Sequence, residues 1–166
     1  MARPQRIEPG PGQESVWDYP RPPAVDPTTS HIRIEHRGRT IAETTRAIRI
    51  LETSQPPGIY LPPDDVDMSV LRRSSDHTLC EWKGTATYFH LVVDEVPAVP
   101  DAAWTYPDPA PRFAAIAGYV AFYPQRVDAC FVDDERVEGN EGSFYGGWIT
   151  SKVVGPFKGG AGSWGW

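Results

Sequence analysis

The chemical interest of this sequence centres on a few ionisable side chains in unusual settings. In Cys80-Glu81-Trp82-Lys83-Gly84 a thiol is followed closely by an ammonium group. A cation beside a thiol favours its charged, nucleophilic form, and a lysine in a hollow can hold an anionic group. Along a regular strand Cys80 and Lys83 point to opposite faces, unless Gly84 marks a bulge. The structural alternative is a small buried thiol with the lysine stem lying on Trp82. Glu52 and Asp65 form a second constellation. If Ile48 and Ile50 point inward, strict alternation carries Glu52 to the same side. An inward acid can accept hydrogen bonds from loop amides, or it can act as a general base. Glu52, Lys83 and Cys80 are therefore the catalytic candidates, and an ion pair between Glu52 and Lys83 would favour a structural role instead.

Asp64-Asp65-Val66-Asp67 contains an Asp-x-Asp pair, which can hold Mg²⁺ in nucleotidyl transferases. Here the preceding Pro62-Pro63 suits a helix start, and capping is the preferred role. Four histidines, His31, His36, His77 and His90, are spread along the chain. His77 and Cys80 have ligand-like spacing, but one pair is too few for a closed metal site. No metal or other cofactor is expected. Phosphate-binding loops, the dinucleotide fingerprint and the hydrolase elbow have no counterpart among the motifs. The aromatic residues Tyr60, Trp82, Tyr88, Trp104 and Tyr106 remain, and rings beside proline in loops can line an apolar recess. With Asp65 they complete the set of ligand-binding candidates.

Side chains so placed need a scaffold. The 166 residues, 40% apolar and 23% charged, have room for one domain with a hydrophobic core. Eighteen prolines and fifteen glycines punctuate the chain too often for long helices and favour short strands. A net charge of -6 argues against a nucleic-acid backbone as partner. No apolar run is long enough to span a membrane, and no secretory signal is visible at the start. Two cysteines do not make a disulfide framework, so a cytoplasmic protein with reduced thiols is expected.

The expected organisation is a Pro-rich arm over residues 1–30 packed on the domain, a core over 31–140 and a Gly/Trp-rich tail over 141–166. Within the core, strands are expected from near His31, returning at Thr40–Thr44 across Arg37-Gly38, and then over 46–51, 59–61, 78–82, 85–93 and 117–123. Residues 129–132 and 136–137 suggest a hairpin. The best helical signal is a short one near 64–71, and 96–112 reads as a proline-rich loop. The tail reads as irregular.

The segments Glu52-Thr53-Ser54-Gln55-Pro56-Pro57, Tyr60-Leu61-Pro62-Pro63-Asp64-Asp65-Val66, Thr78-Leu79-Cys80-Glu81-Trp82-Lys83-Gly84 and Trp104-Thr105-Tyr106-Pro107 together resemble one family. It is the family catalogued as domain of unknown function number 427, and the likeness runs from about His31 to Val127. The resemblance implies an all-β domain of the β-tent type, a pair of twisted antiparallel sheets. Other β-tent proteins hold zinc through paired Cys-x-x-Cys knuckles, which this sequence lacks, so the zinc does not carry over. Some cataloguing links the family to nucleotidyl transfer.

Three functions are open at this point. The first is a small polar or anionic molecule bound in an aromatic-lined pocket, with or without catalysis. The second is a protein-interaction module using the tail and the arm, in which case residues 156–166 could be deleted without loss of stability. The third is a nucleotidyltransferase-like enzyme. Homodimerisation is left open by the sequence.

Overall fold

The computed structural model describes residues 4–142 and 144–166. Met1, Ala2 and Arg3 of the expected arm and Ser143 of the expected tail lie outside the described residues.

The chain is mostly β. It opens with β1 (Glu14–Ser15), β2 (Ala24–Pro27), β3 (Ile32–His36) and β4 (Arg39–Thr44). Next come β5 (Ile48–Leu51), β6 (Gly58–Tyr60), β7 (Leu71–Cys80) and β8 (Gly84–Leu91). Then follow β9 (Val99–Thr105), β10 (Val120–Phe122), β11 (Ala129–Val132) and β12 (Glu135–Arg136). The last described strands are β13 (Glu138–Gly139), β14 (Trp148–Ile149) and β15 (Val153–Val154). Among the described residues no helix is long and apolar enough to cross a membrane.

Two four-stranded antiparallel sheets carry the fold, in the orders β10-β9-β8-β7 and β12-β11-β3-β4. Ile32 and Ile34 alternate with half-exposed Arg33 and Glu35 on β3, which is the period-two pattern of a sheet with one buried face. The β3–β4 turn has positive φ at Arg37 and Gly38, 50° and 75°. The β11–β12 turn does the same at Asp133 and Asp134, 48° and 68°. Paired positive φ values give the backbone twist that two-residue hairpins need. The main core joins the two sheets through Ile32, Ile34, Ile41, Leu91, Val120 and Phe122.

A three-stranded sheet, β2-β5-β6, continues the first sheet at its β10 edge. Leu61 and Val120 exchange both backbone hydrogen bonds there, each at 2.8 Å. Both faces of β10 are consequently buried. Val120 and Phe122 face the main core, while Ala121 and Tyr123 face a second cluster with Tyr60, Trp104, Tyr106 and Ile50.

Several elements differ from expectation. The helical signal near 64–71 resolves into two 3₁₀ turns, Pro63–Asp65 and Met68–Val70. Between them Val66 is extended and bridges to Ala42, and the Asp67 amide donates to Ile41, so β4 holds the chain out of a helix. The stretch 96–112 contains strand β9, most of it deep in the core. Its Pro100 falls in an irregular stretch between the pairs Phe89–Ala103 and Leu91–Val99, where it removes no ladder bond. β7 begins at Leu71, earlier than expected, because an outer strand needs no apolar alternation.

The tail is packed. Trp148 on β14 is 2% exposed, and its indole N–H donates to the Phe122 carbonyl at 3.1 Å. β15 pairs in parallel with β1, and Trp17 Nε1 donates to Pro156 O at 2.8 Å. Val16, Tyr19, Leu51 and Val153 close a third apolar cluster there.

Candidate functional site

The turn between β7 and β8 decides where the lysine points. β7 ends at Cys80 and the chain reverses over Glu81, Trp82 and Lys83. Gly84 follows with φ of 111°, a conformation that a side chain would strain. This departure from strand geometry lets Cys80 and Lys83 line one cleft, where a regular strand would have separated them. The Ala110 amide donates to the Lys83 carbonyl at 2.9 Å and ties the turn to the loop after β9.

The cleft has a volume of about 300 Å³. β5 brings Ile50 to it and, one alternation later, Glu52. β6 contributes Tyr60, β8 Tyr88, and the β9 segment Trp104 and Tyr106. Eight of the nine side chains singled out in the sequence therefore share one recess. Asp65 is the exception. It accepts from Thr44 Oγ1 at 2.7 Å and from Arg46 Nη2 at 3.0 Å, away from the cleft. The Arg46 and Thr44 contacts hold its carboxyl below the usual range. Asp67 is similarly engaged, accepting from the Ser69 amide at 3.1 Å as the cap of the second 3₁₀ turn.

The floor is a network of rings. Trp104 Nε1 donates to the Tyr60 hydroxyl at 3.2 Å, and their rings meet edge to face at 6.2 Å. Tyr106 lies 6.3 Å from Tyr60, and Tyr123 lies 4.6 Å from Trp104. Trp104 belongs to β9 rather than to a loop, so it serves both the core and the recess. Burial pushes the Tyr60 and Tyr106 hydroxyls up in pKa, which keeps both neutral and able to donate. Trp82 and Tyr88 are half-buried and present ring surface to the cleft.

Lys83 is 9% exposed, and its ammonium sits 5.6 Å from the Tyr106 ring centroid. None of the ion pairs among the described residues includes it. Burial pulls its pKa down, while attraction to Tyr60 and Cys80 in their ionised forms and to Glu52, with a hydrogen bond to Cys80, pushes it up, and the net direction is up. Glu52 feels the charge of Lys83 yet pairs with Arg21, Nε to Oε2 at 3.9 Å.

Sequence reasoning missed the contribution of the tail. Phe144, Tyr145, Gly146 and Lys158 also border the cleft. A Cβ at Gly146 would lie 2.5 Å from the Trp104 ring, so glycine allows the tail to rest on the indole. The glycine pair among aromatics was the available signal. Lys158 has its Nζ 5.6 Å from the Tyr145 ring centroid and donates to the Trp166 carbonyl at 3.5 Å. Among the described residues no group of three or more His, Cys, Asp and Glu side chains is placed to hold a metal ion.

Residues 24–133, more than half of the chain, match the model of a family described as a domain of unknown function (DUF427). No curated protein matches the chain.

Proposed function

We propose that this chain, which belongs to the DUF427 family, binds a small polar or anionic molecule in the cleft around Lys83. The observation that carries this reading is the setting of the Lys83 side chain: buried, 5.6 Å from the Tyr106 ring centroid and outside every ion pair among the described residues. A buried charge without a close counter-ion is costly, and an anionic ligand would offset that cost. The volume is at the small end for ligand sites, and its lining combines aromatic rings with ionisable groups, among them Lys83, Lys158, Glu52 and Glu81.

The test is thermal unfolding of the wild type and of Lys83→Met with small carboxylates and their neutral amides. A ligand at ten times its Kd stabilises by about 1.4 kcal/mol, or roughly 4 °C in Tm. Carboxylates should stabilise the wild type, amides should not, and Lys83→Met should lose the difference. Should Lys83→Met fail to fold, the carboxylate-against-amide comparison on the wild type decides. An unresponsive wild type, or one raised equally by both sets, would overturn the reading.

A catalytic version of the same site uses Glu52 as general base, Lys83 to stabilise developing negative charge and Cys80 as nucleophile. Its support is their shared cleft. Turnover lost in Glu52→Gln, with ligand binding retained, would be its signature. Nucleotidyl transfer has less support, because Asp65 and Asp67 are both occupied by protein partners. An interaction module draws support from Phe144 and Trp164, each 62% exposed and 5.9 Å apart. Phe144→Ser with Trp164→Ser should then abolish capture of a partner while leaving Tm unchanged.

A further inference from the structure

We infer that the preferred occupant of the cleft is a planar aromatic or heteroaromatic carboxylate of one or two rings, its carboxylate on Lys83 and its ring against Trp82, Tyr88 and Tyr145. The inference rests on the anion-binding reading and narrows it to one ligand class. Three independent features of the recess point the same way.

The first is the polarity of the floor. Lys83 supplies an ammonium, and the Tyr60 hydroxyl, already accepting from Trp104 Nε1, has its own proton to give. Tyr106 adds a second neutral phenol. A floor made of donors suits an acceptor-only head, and a carboxylate offers two oxygens with about four lone-pair sites.

The second is the chemistry of the walls. Trp82, Tyr88 and Tyr145 all border the cleft and are only half-buried, so part of their surface remains free for contact. Flat rings pack best against flat rings in stacked or edge-on geometry, whereas a puckered ring of equal size forfeits part of that contact. The rim is mixed: exposed Leu79 and Phe144 stand beside Thr78 and Glu81, so a ligand body can find apolar contact there without being wholly apolar.

The third is size. About 300 Å³ lies at the lower end of the range for small-molecule sites. One or two rings with a carboxylate fill such a space. Glu52 also borders the recess, where its carboxylate can accept from a ring N–H, so heteroaromatic N–H donors are included in the class.

The experiment is calorimetric titration of the wild-type chain with benzoate, indole-2-carboxylate, cyclohexanecarboxylate and benzamide. Benzoate and the indole acid should bind. Cyclohexanecarboxylate, equal in charge and similar in bulk but not flat, should bind roughly three- to tenfold more weakly. Benzamide, flat but neutral, should bind at least about tenfold more weakly. Lys83→Met should erase the preference of benzoate over benzamide, and Lys152→Met, at an exposed lysine outside the cleft, should leave it in place. Cyclohexanecarboxylate binding as tightly as benzoate would overturn the aromatic class while leaving the anion reading intact. Benzamide binding as tightly as benzoate, or no binding by any of the four at millimolar concentration, would overturn both.

Discussion

Glu52, just past the end of β5, and Lys83, in the turn between β7 and β8, face the same cleft and do not close an ion pair; the carboxylate instead meets Arg21 Nε at 3.9 Å. Had the two joined, each would have satisfied the other and the recess would be a buried salt bridge. Their separation leaves a cation at the floor and an acid held near the tail ring Tyr145. The consequences can be measured one at a time.

Anion affinity should be flat across roughly pH 6 to 9. The pKa of Lys83 is raised from its ordinary 10.5, since attraction to Tyr60, Cys80 and Glu52 exceeds the opposing effect of burial. A group raised on folding contributes stability below its unfolded pKa and loses it as pH climbs through the folded one. Loss therefore falls in strong alkali. Titrations of a carboxylate ligand at several pH values check this, and affinity declining between neutrality and pH 9 would contradict a protonated Lys83.

The two thiols should react in sequence. Cys130 is 1% exposed and burial pushes its thiol up, so it should resist alkylation until the protein unfolds. Cys80 is half-buried on the wall of the cleft and should label first. A bound ligand should slow labelling at Cys80 and leave Cys130 unaffected. Mass spectrometry of timed iodoacetamide reactions reads both sites.

Asp65 should behave as a structural acid. Asp65→Asn should cost about 1 kcal/mol at neutral pH through weakened bonds to Arg46 and Thr44. Because its pKa is lowered on folding, that stability exists above the ordinary carboxylate value of 3.8 and fades as pH falls through the folded one. Denaturant titrations of both proteins should accordingly converge in acid. Ligand affinity should not change.

Removing residues 156–166 should destabilise the fold by about 2–3 kcal/mol. That segment accepts from Trp17 Nε1 at Pro156 O, donates from the Lys158 amide to Ser54 O at 2.8 Å, and sets the Trp166 ring tilted against Trp17 at 5.7 Å. An unchanged Tm after truncation would restore the view of the tail as a separable module.

Local signals served the hairpins well. Arg37-Gly38 marked a turn and Asp133-Asp134 sat at the centre of another, because positive φ favours few residue types. The alternation from Ile48 carried Glu52 to the recess, and the Cys80–Gly84 motif held its lysine there. What was hidden depended on partners distant in sequence. Val66 could not be known to bridge Ala42, so a helix looked reasonable. Pro97 and Pro100 made β9 look like a loop, although Pro100 lies where the ladder is interrupted. Gly146-Gly147 among aromatics hinted at a close approach, but not that the partner would be the distant Trp104 indole.

The most direct test of the account is a crystal structure of the wild-type protein with para-bromobenzoate. An anomalous bromine peak between the rings of Trp82, Tyr88 and Tyr145, with the carboxylate on Lys83 Nζ, is the predicted result. Bromine located only elsewhere, or a carboxylate turned away from Lys83 toward another cation, would contradict it.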